Sequence, residues 1–187
     1  MELTKRKKYT VHDIYDLPED VRMELIDGIL YDMAAPSSRH QRIVFQLGRK
    51  LADFLDARKG GCEVFVAPFA VFVNDDEYTY VEPDIVVVCD RDKVKDDGCH
   101  GAPDLVVEVV SESSRTRDYL TKLRIYDRAG VREYWIVEPD SGRVITYLFS
   151  EDEDKQKVAE FSADDTLTSW LYPDLRIDMK EIVQNAE

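Results

Sequence analysis

The chain has 187 residues, 44% of them hydrophobic, and a formal net charge of -14. That length favours one domain with a real core, and no run of about 18 apolar residues is present to cross a membrane. The charge argues against a broad basic nucleic-acid surface and leaves room only for a local basic groove.

The N-terminal stretch, Met1 to Lys8, is polar and lacks the apolar segment of a signal peptide, which predicts a cytoplasmic protein. Cys62, Cys89 and Cys99 are odd in number and contain no CxxC pair, which supports neither a disulfide framework nor a zinc site, and Cys62 and Cys89, beside predicted strands, read as core or near-core thiols. We expect a single domain over residues 1–187, with its core at about 22–150 and a C-terminal tail at 151–187.

In chain order, Tyr9 to Pro18 is a lead-in where Thr10 can cap a short helical turn. Arg22 to Tyr31 reads as a β-hairpin around Asp27-Gly28, a pair that favours a tight primed turn. Pro36-Ser37-Ser38 opens a helix whose apolar stripe is Ile43, Val44, Leu47, Leu51, Phe54 and Leu55, and Gly60-Gly61 is its expected stop. Glu63 to Val73 reads as one strand, with Pro68 marking an edge or a bulge. A turn at Asn74 to Glu77 and a strand from Tyr80 to Cys89 follow, then a polar loop over Asp90 to Ala102. Asp104 to Val110 is a strand, and Ser113 or Ser114 caps a second helix running to about Ala129, with Gly130 as its stop. Tyr119, Leu123 and Tyr126 share one face of that helix, and Lys122 lies on another stripe with Asp118 and Ile125. Arg132 to Val137 and Arg143 to Phe149 form a hairpin around Pro139 to Gly142. Ser150 to Lys157 is acidic and exposed, and Trp170 and Leu171 can pack from the tail. The order predicts an α/β or α+β fold with a mixed sheet and helices against it.

One residue stands out. Leu105 to Val110 is apolar except for Glu108, and Val106 and Val110 share its face. An unpaired carboxylate there costs several kcal/mol, on the order of the desolvation penalty of a buried ion, so a partner is required, and a metal ion is a natural one. Asp84, after Pro83, starts the preceding apolar run and would meet Glu108 across strands roughly 4.8 Å apart. Asp104 competes for that role but lies on Glu108's own strand, roughly 13 Å away at about 3.3 Å per residue. Lys122 and Asp118, four apart on a helix, also fit a simple surface ion pair. Glu24 alternates with apolar neighbours and fits an exposed strand position, and His40 at a helix start fits a surface site.

Several segments together resemble the Uma2 family (DUF820) of restriction-endonuclease-like proteins. They are Glu24 to Gly28, His40, Pro83 to Val87, Pro103 to Ser111, Asp118 with Lys122 and Tyr126, and Gly130 to Trp135. The resemblance implies a PD-(D/E)XK nuclease core and a Mg²⁺-dependent DNA endonuclease, with Mn²⁺ as a substitute. It matches Asp84 and Glu108 to the metal-binding acids, with a backbone carbonyl near Val109. The family motif places a lysine two residues after the acid, where this chain has Val110; Lys122 on the helix matches instead. Glu24 matches an auxiliary acid, and His40 a position without an assigned role. Cleaving both strands of DNA would take two sites, hence an expected homodimer. The charge and Val110 also suit a second reading, a catalytically silent module that binds nucleic acid or protein. A paired-carboxylate glycosidase is a third, which predicts no metal dependence.

Overall fold

Every element near the predicted hairpin follows from local chemistry. In the computed structural model, which describes residues 7–74 and 76–186, β1 (Met23–Ile26) and β2 (Ile29–Asp32) pair antiparallel. Asp27 and Gly28 both take positive φ (52° and 82°), the pattern of a primed turn. Residues Met1 to Arg6 of the polar N-terminal stretch, and Asp75 of the predicted turn, lie outside the described residues. A one-turn helix α1 (Val11–Tyr15) precedes the hairpin, with Thr10 and Asp13 in a reciprocal capping box.

Helix α2 (Ser38–Ala57) buries the predicted stripe and is capped by Ser37, whose hydroxyl accepts the His40 N–H. It ends three residues before Gly60, and Lys59 takes the left-handed conformation instead (φ 53°). The run read as one strand from Glu63 to Val73 divides at the cis Ala67–Pro68 peptide. Its first part is β3 (Glu63–Val66), and its second is β4 (Val71–Phe72), in a different sheet. A proline cannot donate a ladder hydrogen bond, so the break falls where the sequence placed an edge or bulge. Of the strand expected from Tyr80, β5 (Ile85–Val88) joins the main sheet, while Tyr80 and Val81 make isolated bridges to Leu25 and Val71. The loop after it contains a 3-10 turn (Arg91–Lys93) and two short strands, β6 (Val94–Lys95) and β7 (Gly98–His100).

Strand β8 (Leu105–Val109) is the spine of the molecule. The helix after it starts as a π segment (Arg117–Lys122) and continues as α3 (Leu123–Ala129), ending at Gly130 in the left-handed conformation. Strands β9 (Glu133–Val137) and β10 (Val144–Leu148) form the predicted hairpin. Residues after 150, read as a tail, add β11 (Lys157–Phe161) to the main sheet, a small pair β12 (Thr166–Leu167) and β13 (Ile177–Asp178), and α4 (Met179–Gln184).

The main sheet runs β11-β10-β9-β8-β5-β3. β8 and β9 are parallel, joined through the π/α3 crossover, and the other pairs are antiparallel. This is the mixed sheet flanked by helices that the element order predicts. The two-residue side-chain period sorts β8 onto two cores. Leu105, Val107 and Val109 pack with α2 and with tail residues such as Leu175, Ile177 and Met179. Val106 and Val110 face Ile125, Tyr126 and Tyr134 on the other side. Glu108 therefore projects toward the π/α3 helix. No helix among the described residues is long and apolar enough to cross a membrane.

The cysteine expectation needs correction. Cys62 and Cys89 form a disulfide, and Cys99 is a buried free thiol. The register that pairs Glu63 with Val88 sets Cys62 and Cys89 opposite each other just beyond the strands. An odd count with no short spacing hid a pair made by sheet register.

Candidate active site

The antiparallel register pairs Ile85 with Val107, so Asp84 and Glu108, one step further, sit opposite each other. Asp84 Oδ2 accepts the Val109 N–H at 2.7 Å, closing the end of β8, and lies 3.3 Å from His40 Nε2. Glu108 is buried, and its Oε1 accepts from Lys122 Nζ at 2.7 Å and from the Tyr126 hydroxyl at 2.9 Å. All hydrogen bonds to Glu108 from described residues fall on Oε1, and those to Asp84 on Oδ2.

Lys122 is 3% exposed and lies 2.7 Å from Glu24 Oε1 and 3.7 Å from Asp118 Oδ1. The last distance is beyond hydrogen bonding, and Asp118 Oδ1 is buried without a hydrogen-bond partner. Glu24 is likewise buried; its Oε1 accepts the Glu82 N–H at 3.2 Å. Its Oε2 is 3.3 Å from Arg117 Nε, a charge pairing without hydrogen-bond alignment. The Arg117 guanidinium rests over the Tyr31 ring, 5.4 Å from its centre.

Neither Lys122 nor Glu24 is the surface residue that its local spacing allowed. The π segment changes the reading of the helix. Asp118, Lys122, Ile125 and Tyr126 of the π/α3 helix are buried, while the predicted stripe partners Tyr119 and Leu123 are only half-buried. π segments recur at functional sites. Asp104, the alternative acid, is engaged elsewhere, accepting from the Cys89 N–H at 2.8 Å and from Arg132 at 3.1 Å.

Electrostatics follow from burial. Desolvation raises the Glu108 carboxyl well above its ordinary range, opposed by Lys122 and helped by Asp118, Asp84 and Glu24. Burial works against the Lys122 charge, but Glu108, Glu24 and Asp118 outweigh it and hold the ammonium protonated. Burial raises Asp118. His40 is raised, because Asp84 and the Val109 backbone outweigh its desolvation.

A cleft of about 820 Å³ opens onto Glu24, His40, Asp84, Glu108, Asp118 and Lys122. Among the described residues no three acidic, His or Cys groups converge as a ready-made metal cage. Mg²⁺ does not need one, since it binds through one or two carboxylates and fills its octahedron with water and phosphate oxygens. The unbonded oxygens of Asp84 and Glu108, on neighbouring strands at the cleft, fit that donor set. Sequence reasoning matched Asp118 and Tyr126 to the family without giving them a role, and it missed Arg117 as part of the cluster. The spacing of Asp118, Lys122 and Tyr126 at four-residue steps was the available signal.

A protein of Synechocystis sp. described as "Uncharacterized protein slr1290" is 32% identical over 133 residues, covering 70% of this chain and 68% of its own. A second from that organism, "Uncharacterized protein sll1609", is 28% identical over 129 residues, 67% of this chain and 71% of that one. A crystal structure from Anabaena variabilis, described as "a putative nuclease belonging to DUF820", superposes with a TM-score of 0.74 at 18% identity. The match covers 95% of this chain and 99% of that one, and shows the shared nuclease-like fold. Residues 10–180 match the Uma2 family, described as "Putative restriction endonuclease". With that match spanning the hairpin, the cleft and the tail, the chain belongs to the Uma2 family.

Proposed function

We propose that this protein is a metal-dependent endonuclease that hydrolyses DNA phosphodiester bonds in the cleft. The observation that carries the reading is the meeting of Asp84, Glu108 and Lys122 at that cleft, with Lys122 supplied from the helix in place of Val110. Asp84 and Glu108, with the Val109 carbonyl as the third protein donor the family resemblance implies, would hold Mg²⁺ or Mn²⁺. That ion supplies Lewis acidity for the phosphoryl oxygen and for a water nucleophile.

The chain's own groups have distinct tasks. Lys122, held charged by three carboxylates, is a fixed cation rather than a proton acceptor. It sets the Glu108 carboxylate through Oε1 and places positive charge beside the phosphate as its charge grows. Tyr126 holds the same oxygen. Glu24 anchors Lys122 and balances Arg117, which lines the cleft where a backbone phosphate would approach. A protein of net charge -14 gains its grip on DNA from these local cations and the bound metal, so binding weakens steeply with salt. One cleft cuts one strand; a homodimer in the cytoplasm completes the reading.

The test is nicking of supercoiled plasmid at low salt with Mg²⁺ or Mn²⁺, comparing wild type with Glu108→Ala and Lys122→Ala. Metal-dependent nicking lost in both variants supports the proposal. Equal activity in all three places the chemistry elsewhere. No nicking, and no stabilisation by metal, favours the silent binding module.

A further inference from the structure

We infer that His40 is a positioning residue for Asp84, its imidazole N–H steering that carboxylate into its metal-binding orientation. The inference rests on the proposed metal site and gives a task to a residue outside the mechanism described above. His40 comes from α2, an element that contributes no other charged group to the cluster. The Ser37 hydroxyl caps the helix on the His40 N–H at 3.1 Å, which fixes where the imidazole leaves the helix. The ring is buried, with only 8% of the residue exposed. Its Nε2 lies 3.3 Å from Asp84 Oδ2, and its Nδ1 is sealed from solvent with no aligned partner.

This geometry argues against His40 as a base toward a water in the cleft. The buried nitrogen reaches no water, and the other already faces a carboxylate. It suits a holding role well. Asp84 Oδ2 is approached from two directions, by the Val109 N–H of β8 at 2.7 Å and by the α2 imidazole. The Val109 N–H makes the aligned hydrogen bond, the imidazole adds a 3.3 Å pairing from a second element, and Oδ1 is left as the unbonded oxygen. Groups that orient a metal-ligating side chain in this way change metal affinity by about 10–100-fold when lost. Glutamine carries an amide N–H near the position of the imidazole Nε2 but cannot titrate, so it separates donation from proton transfer.

The experiment measures Mn²⁺ binding by electron paramagnetic resonance, without DNA, in wild type, His40→Ala, His40→Gln and Asp84→Ala. The expected result is Mn²⁺ affinity about 10–100-fold weaker in His40→Ala and restored to within a few-fold of wild type in His40→Gln. His40→Ala binding as tightly as wild type overturns the inference. So does a His40→Gln variant as weak as His40→Ala, because the donor would then not suffice. A second arm uses urea unfolding of the metal-free protein in a His40→Ala, Asp84→Ala double-mutant cycle. Non-additive midpoint shifts support the contact, and additive ones overturn it whatever the metal does. Wild type that binds no Mn²⁺ refutes the metal reading under Proposed function, and the cycle alone then decides the role of His40.

Discussion

Replacing Lys122 by methionine keeps the packed volume of the side chain and removes its charge. In the folded protein Lys122 sits 2.7 Å from both Glu108 and Glu24, and all three are at most 5% exposed. Removing one partner of a buried pair costs about 3–5 kcal/mol, because the remaining charge is left uncompensated. In a domain of this size each kcal/mol moves the melting temperature by about 2–4 °C, so a fall of about 6–20 °C is expected near neutral pH. The pH dependence gives a sharper check. Burial already raises the folded Glu108 carboxyl above its unfolded value, and Lys122 is the charge that opposes this. A carboxyl raised on folding contributes stability that is present below its unfolded pKa and is lost as pH rises toward the folded one. Without Lys122 the folded value rises further, so the deficit of the variant is largest at about pH 7.5 and shrinks at about pH 5.5. Thermal melts of both proteins at the two pH values measure it. A variant within about 2 °C of wild type, or a deficit that grows on acidification, would refute the claim that Lys122 balances buried carboxylates.

Glu133→Gln sets an amide N–H against donors: Glu133 takes Trp135 Nε1 and the Trp170 N–H on one oxygen, and Ser169 Oγ and the Leu171 N–H on the other. A loss of about 3 kcal/mol is expected from the broken charge-assisted bonds, read as a lower urea midpoint with earliest proteolysis in residues 162–176; unchanged protection of that segment would count against it. Asp104→Ala should lose stability through Cys89 and Arg132 yet keep metal-dependent nicking, whereas Asp84→Ala should lose nicking. The reverse outcome would make Asp104 the ligand. Tyr126→Phe deletes a buried 2.9 Å bond to Glu108 and should cost about 1.5–3 kcal/mol in chemical denaturation.

What the sequence made legible was local. The hairpin came from Asp27-Gly28, α2 from its apolar period, and the β9–β10 pair from two apolar runs around a turn. Those signals act within about ten residues and need no distant partner. The misses depend on partners far along the chain. β4 and β7 pair across 28 residues of sequence, as Val71 with Cys99, and neither is long enough to show a period. β11 is mostly exposed and pairs only by its edge to β10, so its residues carry no burial pattern. Cys62 and Cys89 meet through register alone. Within the cleft, Glu108 was legible because an ionised group in an apolar strand demands an explanation, and Asp84 because strand spacing limits which acid can reach it. Lys122, Glu24 and Asp118 follow the same charge spacing as a solvated helix or hairpin face. Only the family resemblance raised Lys122.

Two buried glutamates in this molecule differ in how their oxygens are used, and the proposed chemistry falls on one of them. Glu133 and Glu108 both project from central strands into apolar surroundings. Glu133 has donors on both oxygens, all from this chain, and ties residues 169–171 to the sheet. Its charge is fully used by the fold. Glu108 receives a lysine and a tyrosine on one oxygen, while the other faces the requirements of the cleft without a bond. Around it, the carboxylates of Glu24, Asp84, Glu108 and Asp118 outnumber the fixed cations Lys122 and Arg117. A structural ion-pair network gains nothing from such an excess, since each unpaired buried charge raises the free energy of the folded state. On the proposed reading, a divalent cation taken up at the cleft would turn the same excess into binding energy. The distinction lies in which acceptors the protein leaves unfilled, and it separates Glu108 from Glu133 where burial and residue type do not.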